Sequence, residues 1–157
     1  MNKLRAWAAA GAAFWLLAAG LACGGPTDED LLLDLVDRVC TYGEERDAPR
    51  ILNLLADDYS DFLGRSRAET EEMLNGYFRR YRGIAINVLR SRVDELTAEE
   101  ASVQADIAFS SGAAKVFRKL AKVSFDNYRL KLNLRNSGGD WLVTYAEWRP
   151  LEPGELF

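Results

Sequence analysis

The sequence of 157 residues contains no histidine, only two cysteines and four prolines. Without histidine, the Ser-His-Asp triad, Cys-His pairs and histidine-ligated metals, including the usual catalytic zinc sites, are excluded. There is also no glycine-rich loop of the kind that holds phosphates. Positive charge is in the minority, with 20 Lys and Arg against 24 Asp and Glu. This balance argues against a nucleic-acid partner recruited by net charge.

Acidic residues cluster at positions 57–61, where three aspartates lie close together. The cluster lacks the spaced ligands and the glycine of an EF-hand calcium loop. We therefore predict neither a metal nor a cofactor.

The first 22 residues have the pattern of a secretory signal peptide. Lys3 and Arg5 form a short basic segment, and residues 6–21 carry no charge. The apolar stretch is shorter than the roughly 20 residues that span a bilayer. It runs into Gly20-Leu21-Ala22-Cys23-Gly24.

This segment resembles the lipobox of bacterial lipoproteins, with Leu21 one position later than usual. The resemblance implies cleavage after Ala22 and acylation of Cys23, which would anchor the protein to a membrane. Gly24, in place of Asp, implies the outer membrane of a Gram-negative cell, facing the periplasm. The alternative is an uncleaved signal-anchor helix in which Cys23 is incidental.

The chain accordingly divides into a signal peptide at 1–22, the lipidated Cys23 with a short linker at 23–27, one domain at 28–150 and a tail at 151–157. If Cys23 carries lipid, Cys40 has no disulfide partner. Cys40 lies on an apolar helical stripe, so we predict a small buried side chain.

Three amphipathic helices are predicted before residue 83. Thr27 with Asp30, and Ser66 with Glu69, have the capping-box pattern, and Asp47 is an N-cap before Pro49. Gly43 is predicted to end the first helix and Gly83 the third. Apolar residues recur at helical spacing in all three: Leu31, Leu32, Leu35, Val36, Val39 and Cys40 in the first; Ile51, Leu54 and Leu55 in the second; Met73, Leu74, Tyr77, Phe78 and Tyr81 in the third.

After Gly83 the period of the apolar residues changes to two, which is typical of strands. Strands are predicted from Ile84 to about Val93, around 103–109, at 128–134 and at 141–148. Turns are predicted at 95–99 and at Asn136-Ser137-Gly138-Gly139. Residues 111–127 are predicted to be an irregular strand or a loop. Helices followed by an antiparallel meander indicate an α+β fold with the helices on one face of the sheet.

This order of elements resembles the NTF2-like superfamily, also called SnoaL-like or cystatin-like cone folds. The likeness lies in Glu45-Arg46-Asp47-Ala48 leading to Leu54-Leu55-Ala56-Asp57-Asp58-Tyr59, in the helix at 66–83, and in the strand–glycine turn–strand ending at 128–149. It implies three N-terminal helices packed on a curved antiparallel sheet, forming a cone with a pocket at its open end. Such folds host isomerases, dehydratases, transport factors and non-enzymatic binding proteins, so fold alone does not assign a function.

Alternation along the last strand predicts that Trp141, Val143, Tyr145 and Glu147 share one face. The resemblance implies that this face looks into the cone. Glu147 is therefore the candidate general base and Tyr145 its candidate partner, because a carboxylate in an apolar pocket has a raised pKa and a tyrosine can stabilise an enolate. The predicted pocket residues are Tyr77, Tyr81, Tyr128, Trp141, Tyr145 and Glu147. The alternative is a Glu147 that pairs with Arg79, Arg82 or Arg118 at the rim.

The other face of the sheet is predicted to be charged. Asp106 should point outward near Lys131 or Arg129 as a solvated surface charge. Arg129, Lys131, Asn133 and Arg135 share this outer surface, so a homodimer through it is allowed but not favoured.

The functional hypothesis is a membrane-anchored envelope lipoprotein whose domain is a non-enzymatic binding module for a small apolar ligand or a protein partner. The alternative is an isomerase or dehydratase that uses Glu147 as its base. The basic and aromatic residues at 78–82 do not indicate a nucleic-acid site. Cations are common at a helix C-terminus, where they interact favourably with the helix dipole. A contact of these residues with lipid headgroups is the remaining alternative.

Overall fold

Three helices and five strands make up the part of the chain that this computed structural model describes, residues 25–111, 126–152 and 154–155. In chain order they are α1 (Asp28–Glu45), α2 (Ala48–Leu52), β1 (Leu55–Asp61), α3 (Arg67–Arg80), β2 (Ile84–Leu96), β3 (Glu100–Ser111), β4 (Asp126–Ser137) and β5 (Asp140–Pro150). The predicted signal peptide, Cys23 and most of 111–127 lie outside the described residues. Within these described ranges no helix is long and apolar enough to cross a membrane.

Both predicted capping boxes are confirmed. Thr27 Oγ1 accepts a hydrogen bond from the Asp30 N–H at 3.2 Å, and Asp30 Oδ2 accepts one from the Thr27 N–H at 2.9 Å. Ser66 and Glu69 make the same reciprocal pair at the start of α3. These bonds satisfy N–H groups that have no partner within the helix, and so they fix where α1 and α3 begin.

The two predicted helix ends are wrong. Helix α1 continues past Gly43 to Glu45, and Arg46 takes the left-handed conformation with φ of 61°. Gly43 is buried inside the helix, where a Cβ would lie 2.9 Å from Ile86 Cδ1, so the missing side chain lets β2 approach. Helix α3 ends at Arg80 because Tyr81 is extended, two residues before Gly83.

Strand β1 replaces the predicted break at 57–61. Helix α2 ends at Leu52, and Leu55 opens the strand instead of closing the helix. The strand pairs in parallel with β5 through Leu55↔Val143 and Asp61↔Ala146. The sheet is therefore mixed at this edge, whereas a wholly antiparallel sheet was predicted.

The sheet has the order β1-β5-β4-β3-β2, and the helices lie on one of its faces. The predicted glycine turn is confirmed, with positive φ at Gly138 and Gly139 between β4 and β5. The core joins α1 to the sheet and includes the almost wholly buried Leu32, Leu35, Val36, Val103, Leu134 and Val143. The predicted α+β class, with three helices on a curved sheet, is confirmed.

A β-bulge in β5 reverses which side chains face the helices. Leu134 is opposite Val143, but Asn133 is opposite Tyr145, so Thr144 has no partner in the register. One extra residue turns every following side chain to the other face. Ala146 and Trp148 thus join Val143 on the helix side. The prediction that Glu147 and Tyr145 face the same way as Val143 is wrong for this reason.

Asp106 lies on the opposite face of the sheet, which we call the outer face. The predicted outward direction and the neighbour Arg129 are confirmed, but the predicted solvation is wrong, since Asp106 is only 1% exposed. Its Oδ1 accepts from Arg129 Nε at 2.7 Å, and its Oδ2 accepts from Arg90 Nη2 at 2.6 Å. The three residues are directly opposite one another on β2, β3 and β4. Hydrogen bonds from Arg129 and then Arg90 lower the pKa of Asp106, overcoming the effect of burial.

Cys40 is buried and is a free thiol, as the sequence predicted. Burial, with smaller contributions from Asp37 and Glu44, raises the pKa of this thiol to about 12. Cys40 therefore remains a protonated, unreactive side chain at neutral pH.

Candidate functional site

A cavity of about 500 Å³ lies between the helices and the inner face of the sheet. This volume is in the range of small-molecule sites. Its walls are mostly aliphatic and aromatic side chains from all three helices and all five strands. The described lining residues are Val39, Gly43, Ile51, Leu55, Tyr59, Leu63, Arg65, Thr70, Met73, Leu74, Tyr77, Phe78, Ile84, Ile86, Ile107, Phe109, Tyr128, Leu130, Leu132, Val143, Ala146 and Trp148.

Helix α3 supplies one wall through side chains on a single stripe. Met73, Leu74, Tyr77 and Phe78 follow the helical spacing that the sequence showed, and all four line the cavity. Their side chains remain partly exposed, and Tyr77 is 52% exposed. The apolar stripe of α3 thus faces the cavity instead of packing fully against core side chains.

Two of the six predicted pocket residues, Tyr77 and Tyr128, line the cavity. Tyr81 stacks on Tyr77 with 5.9 Å between ring centroids but does not itself form the wall. Trp141 lies in the core, where its Nε1 donates to Asp28 Oδ1 at 3.2 Å.

Tyr145 and Glu147 are on the outer face, opposite Asn133 and Lys131 of β4. Neither is among the residues that line the cavity. Within the described ranges the wall contains no aspartate, glutamate or cysteine, and no cluster of such residues could hold a metal. Arg118, one of the suggested partners of Glu147, lies outside the described residues.

A small polar cluster, Tyr59, Arg65 and Thr70, interrupts the apolar wall. Sequence reasoning missed all three, because β1 was not predicted and the turn that follows it carries Arg65. One signal was present in the sequence. Thr70 precedes Met73, Leu74 and Tyr77 at helical spacing, so it continues the apolar stripe of α3 as a hydroxyl.

Asp61 holds Arg65 in position. The carboxylate is 3% exposed, and its Oδ1 accepts from the N–H groups of Leu63 at 2.9 Å and Arg65 at 3.0 Å. Its Oδ2 accepts from Arg65 Nε at 2.6 Å. Burial opposes ionisation, but these hydrogen bonds outweigh it and lower the pKa of Asp61. Asp61 thus remains an anion that fixes both the turn and the guanidinium.

The Arg65 guanidinium also packs on Trp148, with 5.3 Å from its central carbon to the ring centroid. Phe62 also contacts Trp148, meeting it edge-on with 4.8 Å between the ring centroids. Arg65 Nη2 is buried and has no hydrogen-bond partner among the described residues. Because the Arg65 side chain is held at Nε and stacked on a ring, it has little freedom to move Nη2 towards another hydrogen-bond partner.

The two hydroxyls complete the polar cluster. Burial raises the pKa of Tyr59 to about 12, against a lowering by the neighbouring Thr70 hydroxyl, so Tyr59 is a neutral phenol. Thr70 is 5% exposed, and its Oγ1 makes no hydrogen bond of ordinary geometry within the described part of the chain. The arrangement can surround an apolar molecule and offer hydrogen bonds from one positively charged group and two hydroxyls.

The fold is shared with several solved structures at low sequence identity. An NTF2-like protein of unknown function from Pseudomonas putida matches with a TM-score of 0.66 and 16% identity, over 81% of this chain and 89% of that one. A proposed dehydratase of the NTF2-like family from Streptomyces avermitilis matches with a TM-score of 0.65 and 13% identity, over 80% and 96%.

Bd1075 from Bdellovibrio bacteriovorus matches with a TM-score of 0.64 and 12% identity. Here the match covers 78% of this chain but only 40% of Bd1075. No protein-family model matches the sequence, and no curated protein is significantly similar to it. The order of elements, the curved sheet and these superpositions agree, and the chain therefore has the NTF2-like, cystatin-like fold.

Proposed function

We propose that this chain is a binding protein of the bacterial cell envelope whose NTF2-like domain holds a small, mostly apolar molecule. The observation that carries the proposal is the cavity of about 500 Å³ with its nearly continuous apolar wall. Burying apolar ligand surface against such a wall supplies roughly 25 cal/mol per Å². A drug-sized ligand would fit this space.

Binding is favoured over catalysis by the composition of the wall. Acid–base chemistry of the isomerase or dehydratase type needs a group that takes a proton near neutral pH. The described wall contains no carboxylate or thiol, Glu147 lies on the outer face, and Tyr59 has a pKa of about 12. The Streptomyces avermitilis neighbour is a proposed dehydratase, but its likeness to this chain is one of fold.

Filling the cavity should abolish binding. Ile107 lines the cavity from the middle of β3, and Ile107→Trp would replace its side chain there with a much larger one. With N-phenyl-1-naphthylamine, a neutral apolar dye that fluoresces when it leaves water, we expect the affinity of the full-length protein to fall at least about tenfold, or 1.4 kcal/mol. The measurement is a fluorescence titration on protein shown by circular dichroism to be folded.

The matched control is Leu89→Trp, since Leu89 is 49% exposed on β2 and is not part of the cavity wall. It should bind the dye as the wild type does. Equal binding by wild type and Ile107→Trp would place the dye outside the cavity and contradict the proposal, as would no binding by the wild type.

Membrane anchoring through Cys23 is part of the proposal and rests on the lipobox resemblance. We expect Cys23→Ser to move the protein from the membrane fraction to the soluble or unprocessed fraction, because the acyl chains supply the anchor. Cys40→Ser, which changes the buried cysteine, should leave the distribution unchanged. Fractionation of Gram-negative cells with mass spectrometry of the N-terminal peptide would measure both. An unmodified Cys23 in a membrane-bound wild type would support the signal-anchor alternative.

A further inference from the structure

We infer that the ligand of this cavity carries an oxygen hydrogen-bond acceptor, a carboxylate or a carbonyl, that is bound by Arg65 and Thr70. The inference rests on the proposed ligand-binding function and goes beyond it by naming the group that the protein recognises. It is carried by a buried donor with no hydrogen-bond partner in the described part of the chain, Arg65 Nη2, and by Thr70, whose residue lines the same cavity as Arg65.

Arg65 is the principal recognition group. A guanidinium has five N–H donors, and the Nε donor of Arg65 is used by Asp61. Its Nη2 is buried and unpartnered among the described residues. A buried donor without a partner loses its bond to water and gains nothing in return. An oxygen acceptor supplied by a ligand would remove this cost.

Thr70 is a second indication. The residue is only 5% exposed, and its hydroxyl is close enough to the Tyr59 hydroxyl for a hydrogen bond that lowers the pKa of that phenol. A valine would fill the same volume on the apolar stripe of α3 without a polar atom. Thr70 and Arg65 both line the cavity, and Tyr59 is close enough to both residues for each to affect its ionisation.

The charges around the cluster favour an acceptor over a donor. The Asp61 carboxylate accepts three hydrogen bonds from Leu63 and Arg65, so little of its acceptor capacity remains. No carboxylate is part of the described cavity wall. An amine ligand would therefore meet a guanidinium without a facing anion, and a pure hydrocarbon would leave Arg65 Nη2 buried and unpaired.

Three ligands that share a naphthalene ring and differ in the group at its 2-position test the inference: 2-naphthoate, methyl 2-naphthoate and 2-ethylnaphthalene, each displacing N-phenyl-1-naphthylamine from the full-length protein. The first two carry a carbonyl oxygen, and the third carries none. We expect at least one of the two oxygen-bearing ligands to bind about tenfold or more tightly than 2-ethylnaphthalene, since a hydrogen bond to a charged group is the difference. The ranking of acid against ester then tells whether the head group is an anion or a neutral carbonyl.

Thr70→Val and Arg65→Lys test which residues cause the preference. Thr70→Val keeps the volume, and Arg65→Lys keeps the charge but not the planar fork, so both should fold. We expect each to reduce the preference for the oxygen-bearing ligands while 2-ethylnaphthalene binds as before. Arg65→Met should abolish the preference where that variant folds.

The outcomes separate the two proposals. If the dye and all three ligands fail to bind, the proposed function fails. If the dye binds in the cavity and the three ligands are equal, the proposed function stands and the acceptor inference is overturned. A preference that persists unchanged in Thr70→Val and Arg65→Lys also overturns it, because the acceptor would then be bound elsewhere.

Discussion

Replacing Asp106 with Asn is expected to lower the free energy of unfolding by about 3 kcal/mol. Asp106 is 1% exposed and accepts hydrogen bonds from Arg90 and Arg129, whose own side chains are 49% and 20% exposed. An amide would place N–H donors against these two guanidinium groups. The less exposed of the two cations, Arg129, would keep its contact with Glu155 at 3.2 Å but lose the buried carboxylate. Removing one partner of a buried ion pair is strongly destabilising because it leaves a charge uncompensated.

The control is Asp58→Asn, which removes an Asp–Arg pair of similar geometry at the surface. Asp58 accepts from Arg135 at 2.6 and 3.1 Å, but their side chains are 62% and 48% exposed. Water replaces such a pair, so the loss of stability should be much smaller than that caused by Asp106→Asn. Urea denaturation of the full-length variants compares the two, and equal effects would show that the burial of Asp106 has no energetic importance.

Low pH should weaken the interaction of Asp106 with its arginines without any mutation, because it protonates the carboxylate. The pKa values of Asp61 and Asp106 are lowered on folding, and that of Glu155, which pairs with Arg149, is lowered to about 2 from 4.5. The unfolded chain therefore binds more protons in acid, and stability falls as the pH drops from about 4.5 towards 2. Asp106→Asn should flatten this fall, since one of the groups is no longer titratable.

Replacing Asp61 with Asn should cost about 2 kcal/mol of stability and also free Arg65. The oxygen of the introduced amide could still accept from the backbone N–H groups of Leu63 and Arg65, as the carboxylate of Asp61 does. The amide nitrogen would face Arg65 Nε, donor against donor, where Asp61 now accepts at 2.6 Å. The turn between β1 and α3 should loosen, and Arg65 should lose its fixed position on Trp148.

Asp57→Asn is the matched control, because Asp57 is a fully exposed residue of β1 whose oxygen lies 4.0 Å from Arg67. Its effect on stability should be much smaller than that of Asp61→Asn. Chemical denaturation measures both variants, and the quenching of tryptophan fluorescence by iodide reports whether Trp148 becomes more accessible. A stable Asp61→Asn variant with unchanged quenching would show that the carboxylate does not organise this turn.

Local chemistry in the sequence was enough to predict the three helices and the four antiparallel strands, but not β1. The caps at Thr27, Asp47 and Ser66 act within four residues of themselves, and the alternation in β4 depends only on the pleat of a strand. The glycine pair at 138–139 is typical of a tight turn, and both residues have positive φ. Each of these signals is independent of what lies elsewhere in the chain.

The failures came from residues whose neighbours are distant in sequence. The bulge at Thr144 follows from how β5 registers with β4, and it alone decides that Glu147 faces outward. The aspartates of β1 make its sequence resemble a loop between two helices, yet Asp61 is buried because Arg65 pairs with it. Asp106 has the alternation of a surface residue, and it is buried because arginines of two neighbouring strands meet over it. None of these pairings has a local pattern.

The parallel pairing of β1 with β5 has a consequence for the order of folding. The two strands come from opposite ends of the domain, so β1 has to wait for the last strand to be made before it can enter the sheet. Contacts between residues so far apart in the chain form slowly, because a long loop has to close first. Tyr59 and Leu55 of β1 and Val143, Ala146 and Trp148 of β5 all contribute to the cavity wall. The cavity wall is therefore complete only when β1 and β5 have paired, and a chain whose final strand has not yet docked lacks part of this wall.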